Sequence, residues 1–156
     1  MPPGRPAKSM SGHTTYIRRA IDLARLAREH GNHPFGALLV ADDLIVLEAE
    51  NTVVGQGDPT QHAEMNLVQG AWRTLSAEVI RRSTLYTSTE PCPMCAGAIF
   101  WSGIRRVVFS LPAPDLGEMS DDKFCGPCRA LFDRANERTE VIGPILPEEG
   151  RQVHRG

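Results

Sequence analysis

Ser83-Thr84-Leu85-Tyr86-Thr87-Ser88-Thr89-Glu90-Pro91-Cys92-Pro93-Met94-Cys95 is the stretch whose reading decides the fold. Ser83 to Ser88 is rich in β-branched and aromatic residues and reads as a buried strand, stopped soon after by Pro91. Proline suits the first turn of a helix, so Cys92 is expected in that first turn. Residues three apart share a helix face, which lets the thiols of Cys92 and Cys95 grip one ion. The positive end of the helix dipole favours thiolates over thiols at that place.

The second half lies upstream at His62-Ala63-Glu64, the opening of a candidate helix from His62 to about Ser76. One imidazole and two thiols complete a set of three N and S ligands. A catalytic Zn²⁺ takes that number and keeps its fourth tetrahedral position open. Glu64, two residues past the histidine, is placed beside that open position. Either half alone says little, since a Cys-x-x-Cys is often a structural half-site and a lone His-x-Glu has no fixed meaning. Joined, they name His62, Cys92 and Cys95 as metal ligands for one zinc ion, and Glu64 as the catalytic carboxylate.

Outward from this pair, the chain alternates helices and strands. His13 to His30 repeats apolar residues at Ile17, Ala20, Ile21, Ala24 and Ala27, a helical period ended by Gly31. Ala37 to Val40 and Leu44 to Glu50 read as a hairpin turning at Asp42-Asp43. A helix from Cys92 to about Ser102 precedes a strand from Arg105 to Ser110. The Pro-rich, acidic Leu111 to Lys123 reads as a loop near the site. Cys125 to Asn136 reads as helical, Thr139 to Ile142 as a short strand, and the remainder as a polar tail. Helices between strands predict a mixed sheet covered on both faces.

Composition bounds the rest. At 156 residues the chain is one domain by its length, able to bury about 68–70% of its unfolded surface. Residues 1–12, with Pro2, Pro3, Gly4 and Pro6, read as a flexible arm without the apolar core of a secretory signal, and 13–156 as a single domain. Lys and Arg number 17 against 19 Asp and Glu, a net charge of −2, which leaves no global attraction for a polyanion. No apolar run reaches a membrane span. Four cysteines without an export signal suit a reducing cytoplasm and metal or redox chemistry.

His-x-Glu followed by Pro-Cys-x-x-Cys is the signature of zinc deaminases, in which the Glu is general acid and base and not a ligand. From about His13 to Ile142 the chain resembles the cytidine-deaminase-like superfamily. Glu90 to Ile99, Pro34-Phe35-Gly36-Ala37 and Asn51 are most similar to bacterial guanine deaminases and tRNA adenosine deaminases. The resemblance implies an α/β fold, a three-layer α/β/α arrangement around a mixed five-stranded sheet. It implies hydrolytic deamination with release of ammonia, Glu64 serving first as base and then as acid. Phe35 and Asn51 would bind substrate, as would the backbone N–H of Ala63. Asp122, in Ser120-Asp121-Asp122-Lys123, matches the acidic residue of a downstream loop that reads the purine in guanine deaminases. A homodimer is also implied.

The substrate expected is a small free base or nucleoside, guanine-type purine first. A tRNA-binding arm would want a denser basic run than a tail holding Glu148 and Glu149 against Arg151 and Arg155. Guanine deaminases close the pocket with an aromatic or acidic tail residue, and Arg151 to Gly156 offers no clear counterpart, which leaves cytosine, cytidine or another aminated ring open. Two rivals come from other classes. Phe124-Cys125-Gly126-Pro127-Cys128 resembles a thioredoxin loop and would make a redox dithiol of Cys125 and Cys128. A zinc-stabilised binding module would keep the three ligands and have no use for Glu64.

Overall fold

The computed structural model describes residues 10–119, 124 and 126–155. Helix α1 (Met10–Glu29) buries Ile17, Ala20, Ile21 and Ala24 at helical spacing and ends at Gly31, whose φ of 88° is left-handed. It begins three residues before His13, so Met10 to Gly12 are helical; the rest of the expected arm lies outside the described residues. Strands β1 (Gly36–Ala41) and β2 (Leu44–Glu50) form the expected hairpin. Its two-residue turn has both central residues at positive φ, Asp42 at 54° and Asp43 at 62°. That twist matches the strands, and short polar side chains tolerate it.

The remaining elements are α2 (Val53–Gln56), α3 (Ala63–Thr74), α4 (Ala77–Arg81), β3 (Thr84–Thr89), α5 (Pro93–Ser102), β4 (Arg106–Leu111), α6 (Ala113–Met119), α7 (Cys128–Phe132), β5 (Glu140–Ile142) and α8 (Pro147–Gln152). The sheet is five-stranded in the order β2-β1-β3-β4-β5. β1 is antiparallel to β2 and β3, whereas β3, β4 and β5 run parallel. Alternate residues of each strand serve opposite faces. Leu38, Val40, Tyr86 and Val108 pack under α1 with Ile145 and Val153 of the C-terminal region. Ala37, Leu39, Leu85 and Val107 pack under α3, α5 and α7 through Leu67, Ala96, Ile99 and Phe132. The fold is the expected three-layer α/β/α arrangement.

Three local expectations need correction. Leu111 to Lys123 is not a plain loop, because Leu111 completes β4 and residues 113–119 are α6. Proline counts against a helix only past the first turn, and here Pro112 and Pro114 sit at its start, with the Pro112 carbonyl accepting from Leu116 N at 3.2 Å. The polar tail folds as α8, with Pro147 at its start, Glu148 and Glu149 in the first turn and Arg151 in the last. The helix expected to about Ser76 stops at Thr74, and Ser76 instead caps α4, its Oγ accepting from Val79 N at 3.2 Å. Within the stretch read as helical from Cys125, α7 spans Cys128–Phe132.

Candidate active site

The site lies outside the carboxyl ends of the parallel strands β3 and β4, beside the amino end of β1, where open α/β sheets leave a crevice. β3 ends at Thr89, and Glu90-Pro91 carries the chain to Cys92, the extended N-cap of α5, whose carbonyl accepts from Ala96 N at 2.8 Å. Cys95 follows one turn on and is fully buried. His62 is the extended N-cap of α3, and its carbonyl accepts from Asn66 N at 3.0 Å. α3 and α5 pack side by side on one face of the sheet, which brings the two helix starts together.

His62 Nδ1 lies 3.6 Å from Cys92 Sγ and 3.5 Å from Cys95 Sγ. Bond lengths of about 2.3 Å to sulfur and about 2.0–2.1 Å to nitrogen at tetrahedral angles require an N to S separation of about 3.6 Å. The observed spacing therefore fits zinc without rearrangement. The thiol chemistry agrees. Cys92 is held down to about 4, first by the hydrogen bond from Cys95 and then by His62, while Cys95 is pushed far up by sharing that proton and by burial. Only one thiolate is stable there without a cation, and a divalent ion would let both ionise.

Glu64 is 6% exposed and lies in the first turn of α3. Burial, with the Cys92 thiolate beside it, pushes its carboxyl up to about 7. A dication would act in the opposite sense, being the largest local charge. Ala63 is buried at the head of α3, in the turn whose N–H groups have no intrahelical carbonyl.

A cavity of about 500 Å³ opens onto these groups. Its walls include His62, Glu64 and Cys92, together with Phe35 and Asn51. Asn51 donates its N–H to the Phe35 carbonyl at 3.1 Å, and its Oδ1 accepts from Val53 N at 3.0 Å. It therefore closes a turn and faces the cavity at once. Phe35 likewise packs against the core and forms cavity wall. Asp122 and Cys125 lie outside the described residues; their neighbour Phe124 reaches the cavity wall.

Among the cavity residues not singled out from sequence, His154 and Glu90 are tied most firmly into the fold. His154 follows α8 and stacks obliquely on Phe35, ring centroids 5.2 Å apart. Burial and the Arg28 guanidinium lower its pKa, so the ring is held neutral. Arg28 also donates to the Val153 carbonyl at 2.8 Å, and Arg151 pairs with Asp115 of α6 at 2.9 Å, so the C-terminal end of α8 is held by two contacts. The tail does place an aromatic residue at the cavity, correcting the expectation of none. Glu90, also 6% exposed, accepts from Ala113 N at 2.9 Å and Cys128 N at 2.7 Å, joining the metal loop to α6 and α7. Cys128 is buried, and burial together with the Glu90 carboxylate pushes its thiol up. A buried thiol of that kind does not itself attack, and Cys125, the other half of the expected dithiol, lies outside the described residues.

An N,S,S donor set that would hold zinc, with a buried carboxylate lining the same crevice between two helix starts, is the make-up of a zinc hydrolase. Residues 10–111 match the family model of the cytidine and deoxycytidylate deaminase zinc-binding region, and the chain belongs to that family. It is 40% identical over 146 residues to a probable cytosine deaminase of Schizosaccharomyces pombe, covering 90% of this chain and 89% of that one. It is 40% identical over 129 residues to a guanine deaminase of Bacillus subtilis, 81% of each chain. A solved tRNA:A34 deaminase superposes with a TM-score of 0.76 at 27% identity, over 90% of this chain and 99% of that one. The chain is a zinc-dependent deaminase of nucleobases or nucleosides. Bound zinc would supply a water made reactive near neutral pH.

Proposed function

We propose that this deaminase acts on a small free base, guanine-type purine first. The observation that carries the reading is the cavity at the site. Phe35 and His154 meet at 5.2 Å in the wall of a space of about 500 Å³ whose exposed surface is largely apolar, with Asn51, Glu64 and His62 among its polar groups, the make-up of a small-molecule site. The net charge of −2 adds no electrostatic footprint for tRNA. Within the cavity, Glu64 takes a proton from water, passes it to a ring nitrogen and later returns one to the departing amino group. The Ala63 amide and the Asn51 side chain hold the polar edge of the ring, and Phe35 lies against it. Asp122 is assigned to reading the purine.

Cytosine is the second reading, favoured by the 40% identity to the probable cytosine deaminase across nine-tenths of both chains. An ammonia-release screen over guanine, guanosine, adenine, cytosine, cytidine and a tRNA anticodon stem-loop separates the readings. The highest kcat/KM is expected on guanine. A higher value on cytosine installs the second reading, and a higher value on the stem-loop rejects both. Self-association is expected as well, since Trp72 and Trp101 stand 64% and 79% exposed on the neighbouring helices α3 and α5. Light scattering at the monomer mass would reject it.

A further inference from the structure

The strand register aligns one row across the site end of the sheet. Gly36 pairs with Glu50, Ala37 with Thr87, and Thr89 with Leu111. Continuing the two antiparallel pairings to the chain ends sets Phe35 opposite both Asn51 and Thr89. The bond from Asn51 N to the Phe35 carbonyl marks the first of those steps. Asn51, Phe35 and Thr89 thus stand side by side, and all three line the cavity. By the two-residue period of a strand, Thr89 shares its face with Leu85, on the side covered by α3 and α5.

Thr89 is 4% exposed, and its hydroxyl oxygen is buried with no hydrogen-bond partner. Among the described residues one other side-chain atom is in that state, Thr139 Oγ1, and it does not line the cavity. A buried hydroxyl left unpaired is a net cost, and valine would fill the same shape without it. The residue is cavity wall although its oxygen is covered, so a turn about χ1 is what brings the hydroxyl to a partner in the cavity.

We propose that Thr89 is a specificity-determining residue that touches the substrate, its hydroxyl completing a hydrogen bond to the polar edge of the aminated ring. The inference rests on the deaminase reading of the same site and narrows its substrate class. Asn51 Oδ1 is engaged by Val53 N, which leaves the Nδ2 donors for a ligand. Thr89, in the same row, can donate or accept. A donor beside a group of either sense matches a ring carbonyl next to a ring nitrogen, the edge of an oxo-amino heterocycle such as guanine or cytosine. Adenine has no carbonyl to offer.

The test compares the zinc-loaded wild-type protein with T89V and T89S by ammonia release from guanine, cytosine and adenine. T89V is expected to keep one zinc per chain and to melt at or above the wild-type temperature, since it removes the unpaired group. Its kcat/KM on the preferred oxo-amino ring should fall about tenfold, chiefly through KM, as for one lost hydrogen bond. Its preference over adenine should shrink, and T89S should restore both. Should T89V lose its zinc, T89A is read by the same criteria. Wild-type kinetics in the valine variant, or an equal loss on every ring with a lowered melting temperature, overturns the inference alone. A wild-type protein that releases ammonia from none of the rings overturns the deaminase reading and this inference with it.

Discussion

Replacing Glu90 by alanine removes a carboxylate that does two jobs inside a water-poor wall. Its oxygens accept the N–H of Ala113 at 2.9 Å and of Cys128 at 2.7 Å, so one side chain ties the metal loop to the starts of α6 and α7. Both bonds are buried, and among the described residues no other acceptor bonds either amide. A hydrogen bond to a charged group contributes about 1.5–3 kcal/mol, and an orphaned buried donor costs about 1–3 kcal/mol. Taking about 2 kcal/mol per amide gives a loss of about 4 kcal/mol for Glu90→Ala. Glu90→Gln keeps one acceptor and the shape but turns a donor toward the other amide, so about half that loss is expected. Urea unfolding reads the difference. With a slope of about 2 kcal/mol per molar, the alanine variant should unfold at about 2 M less urea. Ammonia release should fall in parallel, because α6 and Phe124 contribute to the cavity wall. A midpoint within about 0.3 M of wild type would refute the claim that Glu90 holds the two segments.

Further expectations follow from other contacts. A Cβ added at Gly36 would sit 2.5 Å from the Ala20 carbonyl oxygen and 2.6 Å from Ala24 N, so Gly36→Ala must push α1 off the sheet. That should cost about 3 kcal/mol or more in the same urea assay. Cys92→Ser should abolish zinc retention in metal analysis, whereas Cys128→Ser, at a thiol outside the donor set, should keep one zinc per chain. His154 has a folded pKa below its unfolded value of 6.5, so below that pH the unfolded chain binds the extra proton. Stability from this group is therefore present above pH 6.5 and lost as the pH falls through the depressed folded value. His154→Gln should flatten that part of a melting-temperature profile against pH.

Sequence carried the metal centre well because its logic is local. The strand Thr84–Thr89, the proline turn and the Cys92 to Cys95 spacing fix two ligands within one strand-to-helix unit, and His62 heads the helix packed beside it. The Asp42-Asp43 hairpin was readable for the same reason. Sheet order was not, because periodicity places side chains on faces but does not choose neighbours. Prolines misled at Pro112 to Pro114, where they open a helix in a stretch that read as a loop, and polarity misled in the tail, where α8 forms. His154 was hidden by distance. Its place depends on Arg28, 126 positions upstream, holding the Val153 carbonyl, and on α8 packing near β4, where Gly150 lies close to Ser110. Glu90 and Thr89 were in plain view, yet their roles rest on amides and pairings that only the fold brings near.

The central claim is that Glu64 moves the protons while the three ligands hold the ion, and Glu64→Gln measures it most directly. Glutamine keeps the shape of the buried side chain and cannot take up a proton. The account predicts ammonia release at least about 10²-fold below wild type, with one zinc per chain and an unchanged melting temperature. Turnover at the wild-type rate in that variant would contradict it.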